Sequence, residues 1–188
     1  MTRLRFDNVA CVRGGRLLFE GVSFALSTGE AALVTGPNGT GKSSLLRAAA
    51  GLLDVTGAIE IEGTIALADE NPALDRELAL EKALHFWARL DERDDALPGA
   101  MDAMGIGHLA PVPVRMLSTG QRKRAALARV IASGAAIWLL DEPTNGLDTE
   151  SVARLERACA AHQASGGIVV AATHLPLGLA SAHQVPLA

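Results

Sequence analysis

The sequence predicts an α/β fold, a parallel sheet covered by helices, on three observations. A Gly-rich octapeptide, Gly36-Pro37-Asn38-Gly39-Thr40-Gly41-Lys42-Ser43, stands between the apolar run Ala31 to Thr35 and an Ala/Leu-rich stretch, Ser43 to Ala50, that stops at Gly51. That is the order strand, loop, helix. Helix followed by apolar strand then returns twice, as Thr119 to Ser133 before Ala135 to Leu140 and Thr149 to Ser165 before Ile168 to Thr173, the alternation that builds a parallel sheet. Composition agrees: 49% of residues are hydrophobic but only 3% aromatic, with no Tyr, so the core must be Ala, Val, Leu and Ile, which suits small helices on a sheet.

The remaining elements follow from periodicity and punctuation. Leu4, Phe6 and Val9 to Val12 read as a strand, Gly14-Gly15 as a turn, and Val22 to Leu26 as a second strand closed by Thr28-Gly29, giving an antiparallel edge. Ile59 and Ile61 alternate with Glu60 and Glu62, and Gly63 separates them from Ile65 to Ala68, which predicts a strand pair. Leu78 to Leu90 and Leu97 to Met104 are helical in pattern, punctuated by Pro98, Gly105, Pro111 and Pro113, and predict a separate small helical lobe. A chain of 188 residues is expected to form one domain.

Charge and composition narrow the partners. A net charge of -4 argues against nucleic acid, which demands a strong positive field, and the cluster Arg122-Lys123-Arg124 with Arg129 reads as exposed charge on its helix. Cys11 and Cys159 lie far apart without metal-type spacing, and nothing at the N-terminus reads as a signal peptide, so a reducing cytoplasm is expected. The most apolar tail, Gly166 to Ala182, is interrupted by Thr173, His174 and Pro176, so no segment is expected to span a membrane. A mean hydropathy of +0.24 leaves room for an apolar surface kept for a partner.

Gly36 to Ser43 fits G-x-x-x-x-G-K-[ST] in the strand-to-helix context that motif requires. Glycines let backbone N–H groups curl around phosphate oxygens, and the helix N-terminus adds its positive dipole end; Ser44 belongs to the same turn. Lys42 is placed to reach the β- and γ-phosphates of ATP and the Ser43 hydroxyl to ligate Mg²⁺. Ile137 to Leu140 followed by Asp141-Glu142 supplies a metal carboxylate in Asp141 and, one residue on, a general base in Glu142. In Leu117-Ser118-Thr119-Gly120-Gln121, Ser118 is a good N-cap for the following helix, and a Gly follows, which makes a second phosphate-binding helix end.

These pieces together resemble the ATP-binding cassette family over essentially the whole chain. The phosphate loop, Leu117 to Gln121 as signature, Ile137 to Glu142, Asn145-Gly146-Leu147-Asp148 as D-loop and His174 as switch histidine occur in family order. The resemblance implies a P-loop NTPase, a single ATP-binding domain over residues 1–188 with an antiparallel β edge and a RecA-like parallel core, into which a helical subdomain at about 77–116 is inserted. It also implies a head-to-tail homodimer in which ATP lies between the phosphate loop of one copy and Ser118 and Gly120 of the other, with His174 contacting the γ-phosphate. Two departures stand out. The family's Gln after the strand before the helical lobe aligns with Glu70, within Ala68-Asp69-Glu70-Asn71-Pro72, with Asp69 and Asn71 as neighbouring candidates; a carboxylate there can still approach Mg²⁺. Where an aromatic ring often stacks on the base, this chain has Cys11-Val12-Arg13-Gly14, and the Arg13 guanidinium is the available plane.

Other stretches are similar to one subfamily, the ATPase subunit of the haem exporter of bacterial cytochrome c biogenesis: Cys11-Val12-Arg13 with Leu18-Phe19 and Ser23-Phe24, Ala83-Leu84-His85-Phe86-Trp87, and Gly166 to Val169 leading to Thr173-His174-Leu175-Pro176-Leu177. That likeness, with the brief tail after His174, implies multispanning membrane subunits as partners, a peripheral place on the cytoplasmic face of the inner membrane, and haem delivery to a periplasmic chaperone. No Cys-x-x-Cys-His run is present, so the cargo is not expected to touch this subunit. Phe86 and Trp87 are candidates for the surface gripping the membrane subunit, with a core position as the equal alternative. A soluble cassette in DNA repair or translation would carry two cassettes or a coiled-coil insertion, and a small-molecule kinase would lack the signature and switch histidine. A cassette transporter for another cargo stays open, because the membrane subunit chooses the cargo.

Overall fold

A computed structural model describes residues 2–188. The chain runs β1 (Arg3–Arg13), β2 (Arg16–Ser27), β3 (Ala31–Thr35), α1 (Lys42–Ala49), β4 (Thr56–Glu62), β5 (Ile65–Ala68), α2 (Leu80–Leu90), α3 (Leu97–Ala103), α4 (Thr119–Ala132), β6 (Ile137–Asp141), α5 (Thr149–Ala164), β7 (Ile168–Ala172) and β8 (His183–Pro186). β2-β1-β4 form an antiparallel sheet, and β5-β6-β7-β3-β8 a wholly parallel one.

Strand periodicity of two explains the layering. In the parallel sheet Ala32, Val34, Ile137, Leu139, Ile168 and Val170 face one side, where they pack with α1 residues Leu45 and Leu46 and with Leu4 and Phe6 of the antiparallel sheet. Trp138, Leu140, Val169 and Ala171 face the other, against Ala125 and Ala128 of α4, Leu155 of α5 and the helical stretch carrying Leu84 and Met101. Both faces of each central strand are therefore dry, which is why these strands read as unbroken apolar runs. Phe6 and Phe24, paired across β1 and β2, stack at 4.5 Å.

The structure corrects two expectations here. Ile59 to Ile61 and Ile65 to Ala68 do not pair with each other: β4 lies antiparallel to β1, while β5 joins β6 in the parallel sheet. Gly63, at φ 131°, turns the chain between the two sheets, and the largely exposed β4 and the more buried β5 find different partners. A strand absent from the sequence reading, β8, runs parallel to β3, with Val34 opposite Val185; its short, polar sequence carries no period-two signal.

Under β7, the His162 imidazole of α5 stacks on Trp138 at 3.9 Å with the rings 8° apart. Burial holds the His162 pKa below its ordinary 6.5, opposed by backbone hydrogen bonds at Ala136 and Ile168. The unfolded chain then takes up this proton near 6.5 and the folded chain only at lower pH, so His162 leaves stability intact above 6.5 and erodes it as pH falls towards the folded pKa. His162→Phe is expected to flatten that acid limb of a urea-midpoint versus pH curve; an unchanged slope removes His162 as its source.

Candidate functional site

In a parallel sheet the carboxyl ends of the strands share one edge, and loops there converge on a crevice. β3 delivers the phosphate loop, β6 ends in Asp141-Glu142, β7 leads into Thr173-His174, and β5 leads to Asp69-Glu70. They meet around a cavity of about 470 Å³ lined by Arg13, Leu18, Asn38, Gly39, Gly41, Lys42, Ser43, Ser44, Glu70, Glu142, Asn145 and His174.

The loop closes on itself. Lys42 is buried, and its Nζ donates to the carbonyls of Gly36 at 2.8 Å and Pro37 at 3.2 Å. Thr40 Oγ1 donates to the Pro37 carbonyl at 3.0 Å, so Pro37 and Thr40 shape the loop from outside the cavity wall. Gly41 caps α1 at φ 96°, and a Cβ there would stand 2.8 Å from the Phe19 ring; only glycine lets the backbone cross so near β2. The Ser43 hydroxyl donates to Asp141 Oδ1 at 3.0 Å. Burial pushes the Asp141 carboxyl pKa up, opposed by that hydroxyl and by Lys123.

Glu142 occupies the left-handed region at φ 42°, unusual for a non-glycine side chain. Its N–H donates to the Ala172 carbonyl at 2.8 Å, which fixes the strained turn to β7. Its carboxylate lies 3.9 Å from Lys42 Nζ and 2.9 Å from His174 Nδ1. Base candidate, loop lysine and switch histidine thus form one buried cluster, with the histidine half-exposed at its mouth. Of the three residues weighed at the Glu70 position, Asp69 pairs with Arg47 at 3.5 Å and accepts the Asn71 N–H at 3.0 Å, while Glu70 lines the cavity.

Ser118 caps α4 in a reciprocal box: its Oγ accepts the Gln121 N–H, and the Ser118 N–H donates to Gln121 Oε1 at 2.8 Å. Ser118, Gly120 and Gln121 do not reach the loop cavity; with Gly146, Leu147 and Asp148 they line a separate recess of about 190 Å³. Gly120 is obligatory there, since a Cβ would stand 2.7 Å from the Gly146 carbonyl. Asp148 caps α5, accepting the Ser151 N–H at 2.7 Å, which draws its pKa down. Leu117 points into the core, and Thr119 lines a third cavity, of about 480 Å³, that shares Glu70, Glu142 and Asn145 with the first.

The basic cluster of α4 is not exposed charge. Each side chain turns inward to a main-chain carbonyl: Arg122 to Leu117, Lys123 to Asp141 at 2.8 Å, Arg124 to Met104 and Gly105, and Arg129 to Leu67. Polar groups on an inward face need such partners. Periodicity had no means of showing them.

Residues 19–145 match the family model described as ABC transporter. The cytochrome c biogenesis ATP-binding export protein CcmA of Sphingopyxis alaskensis is 58% identical over 94% of this chain and 92% of that protein. Its namesake in Zymomonas mobilis is 55% identical over 95% of this chain and 81% of its own length. The chain belongs to the ABC transporter family, in its CcmA group. An ABC ATP-binding protein from Pyrococcus furiosus superposes at a TM-score of 0.86 with 21% identity, covering 98% of this chain and 97% of that one, which shows the same ABC ATPase fold.

The donor set fits Mg²⁺-ATP. The Ser43 hydroxyl and the Asp141 carboxylate, in hydrogen-bond contact, offer hard oxygens. That suits Mg²⁺, which is commonly held by one or two protein oxygens and completed by phosphates and water.

Proposed function

We propose that this chain is the ATP-hydrolysing subunit of the exporter of cytochrome c biogenesis, working at the cytoplasmic face of the inner membrane and driving haem release or transfer to a periplasmic chaperone. The observation carrying the reading is the meeting of Lys42, Ser43, Asp141, Glu142 and His174 at one sheet edge in a chain so similar to CcmA proteins. Backbone N–H groups of Asn38 to Ser44 hold the phosphates, and Lys42 exchanges its loop carbonyls for phosphate oxygens. Ser43 and Asp141, with Glu70 beside them, would hold Mg²⁺, whose charge would offset that of the phosphates. Glu142 takes a proton from the water whose oxygen attacks the γ-phosphorus as the bond to ADP breaks, and His174 orients both Glu142 and the γ-phosphate.

Ser118 and Gly120 open on a recess apart from the loop cavity of their own chain, which supports a head-to-tail homodimer in which each copy completes the other's site. Arg13 and Leu18 line the cavity where the base would lie. Arg13→Ala is expected to raise the ATP Kd roughly tenfold, the worth of about 1–3 kcal/mol of stacking. A fluorescent-nucleotide titration reads it, and an unchanged Kd removes Arg13 from the site.

Among the described residues no helix is long and apolar enough to cross a membrane, so the export path belongs to membrane subunits. Their docking surface is the outer face of α2, where Leu78, Phe86 and Leu90 are 38%, 62% and 66% exposed, rimmed by Glu81, Lys82, His85 and Arg89. Phe86 is on that face; Trp87 is not, being anchored inward. Phe86→Asp is expected to abolish copurification with the membrane subunit while leaving ATP binding unchanged. Retained assembly sinks this surface. For the cargo, the test is loss of c-type cytochrome maturation in cells carrying only the Glu142→Gln chain; normal maturation would favour another cargo.

A further inference from the structure

We infer that Trp87 and Arg129 are positioning residues for Glu70, bracketing the segment that carries it. β5 is an edge strand of the parallel sheet, so a carbonyl on its outer side has no ladder partner. The Leu67 carbonyl instead accepts from Arg129 Nη2 of α4 at 2.7 Å. At the far end of the segment the Ala73 carbonyl accepts from Trp87 Nε1 of α2. The two brackets are one unit, because the Arg129 guanidinium lies 4.6 Å over the Trp87 ring. A planar guanidinium can stack and donate in its plane together, which a lysine cannot.

Between these ends the main chain has little freedom. Asp69 is tied to Arg47 of α1 and accepts the Asn71 N–H, and the Leu74 N–H donates to the Pro72 carbonyl. Glu70 sits at the middle of this strap and lines both the loop cavity and the neighbouring one. Neither Trp87 nor Arg129 lines either cavity, so their reach to the site runs through the backbone of 68–73. The two brackets and the Asp69 ion pair tie the segment to three different helices: α4 behind the signature, α2, which carries the docking face, and α1 behind the phosphate loop. A shift of α2 against the sheet therefore pulls the Ala73 end and changes where the Glu70 carboxylate stands.

This rests on Glu70 being a residue of the nucleotide site, and the experiment separates the two. In the full chain assembled with its membrane partner, steady-state ATP hydrolysis is measured against MgATP for wild type, Trp87→Phe, Glu70→Ala and the double variant, with thermal midpoints alongside. Trp87→Phe keeps a ring under Arg129 and loses only the N–H donor. It is expected to lower kcat about three- to tenfold with KM changed less than about twofold, and to do nothing further in the Glu70→Ala background, the signature of two residues acting through one another. Arg129→Gln, removing the other bracket, is expected to show the same dependence on Glu70. A second readout is independent of turnover: MgATP should change Trp87 emission, taken as the difference between wild type and Trp87→Phe, and Glu70→Ala should diminish that change. Equal losses in both backgrounds would overturn the bracket while leaving the site intact. Unaltered kinetics in Glu70→Ala alone would remove Glu70 from the site, and the bracket with it.

Discussion

Glu142→Gln is expected to cut ATP hydrolysis on the order of 10²–10⁴-fold while leaving ATP binding within about twofold of wild type. The amide is nearly isosteric and still hydrogen-bonds His174, so the buried cluster with Lys42 survives without a base able to take the proton of the attacking water. Structure makes the loss large: the carboxylate is buried, its backbone is held at φ 42° by the bond to Ala172, and its distances to Lys42 and His174 are fixed. No other carboxylate is so held: Asp141 is engaged with Ser43, and Glu70 stands on a loop. Bound nucleotide without turnover should also accumulate the head-to-tail dimer, visible by size-exclusion chromatography with ATP. Near-normal turnover would remove Glu142 as base, and normal turnover loss without a dimer would count against the shared site.

What the sequence made legible is what depends on a few adjacent residues. The phosphate loop needs its glycines and lysine in fixed order, and the pair Asp141-Glu142 needs only a strand end, so both stand where local pattern places them. The runs that become β3, β5, β6 and β7 are continuously apolar, and α4 opens on its own N-cap Ser118, so these elements too are marked locally. Illegible features depend on tertiary partners. β8 has no pattern of its own and exists because β3 offers an open edge. The division of β4 and β5 between two sheets is decided by β1 and β6, remote in sequence. Lys123 and Arg129 read as surface charge because their carbonyl acceptors, on Asp141 and Leu67, lie 18 and 62 positions away. Burial lowers the pKa of both cations, a mark of inward placement that composition does not carry.

Gly36→Ala is expected to destabilise the fold by about 2–4 kcal/mol, a fall in Tm of roughly 4–16 °C for a chain of this length, and to abolish ATP binding. Gly36 has φ 144°, and an added Cβ would stand 2.3 Å from the Leu187 carbonyl and 3.0 Å from Thr40 Oγ1. That carbonyl is main chain, so no rotamer change relieves the clash. Leu187 is itself fixed, its N–H donating to the Thr35 carbonyl at 2.7 Å as β8 leaves the sheet. The added methyl must therefore push β8 off β3 or lift the phosphate loop, and the loop carbonyl that holds Lys42 belongs to Gly36. Gly39→Ala is the control: it shares a left-handed backbone, at φ 86°, but a Cβ there meets nothing within 4 Å, so only the conformational cost of about 1–2 kcal/mol remains. Thermal melts of both variants, with nucleotide titrations at a temperature where each is folded, separate crowding from strain. Equal losses in the two would mean that the approach of β8 to the loop does not constrain Gly36, and that the C-terminal strand has no part in shaping the phosphate site.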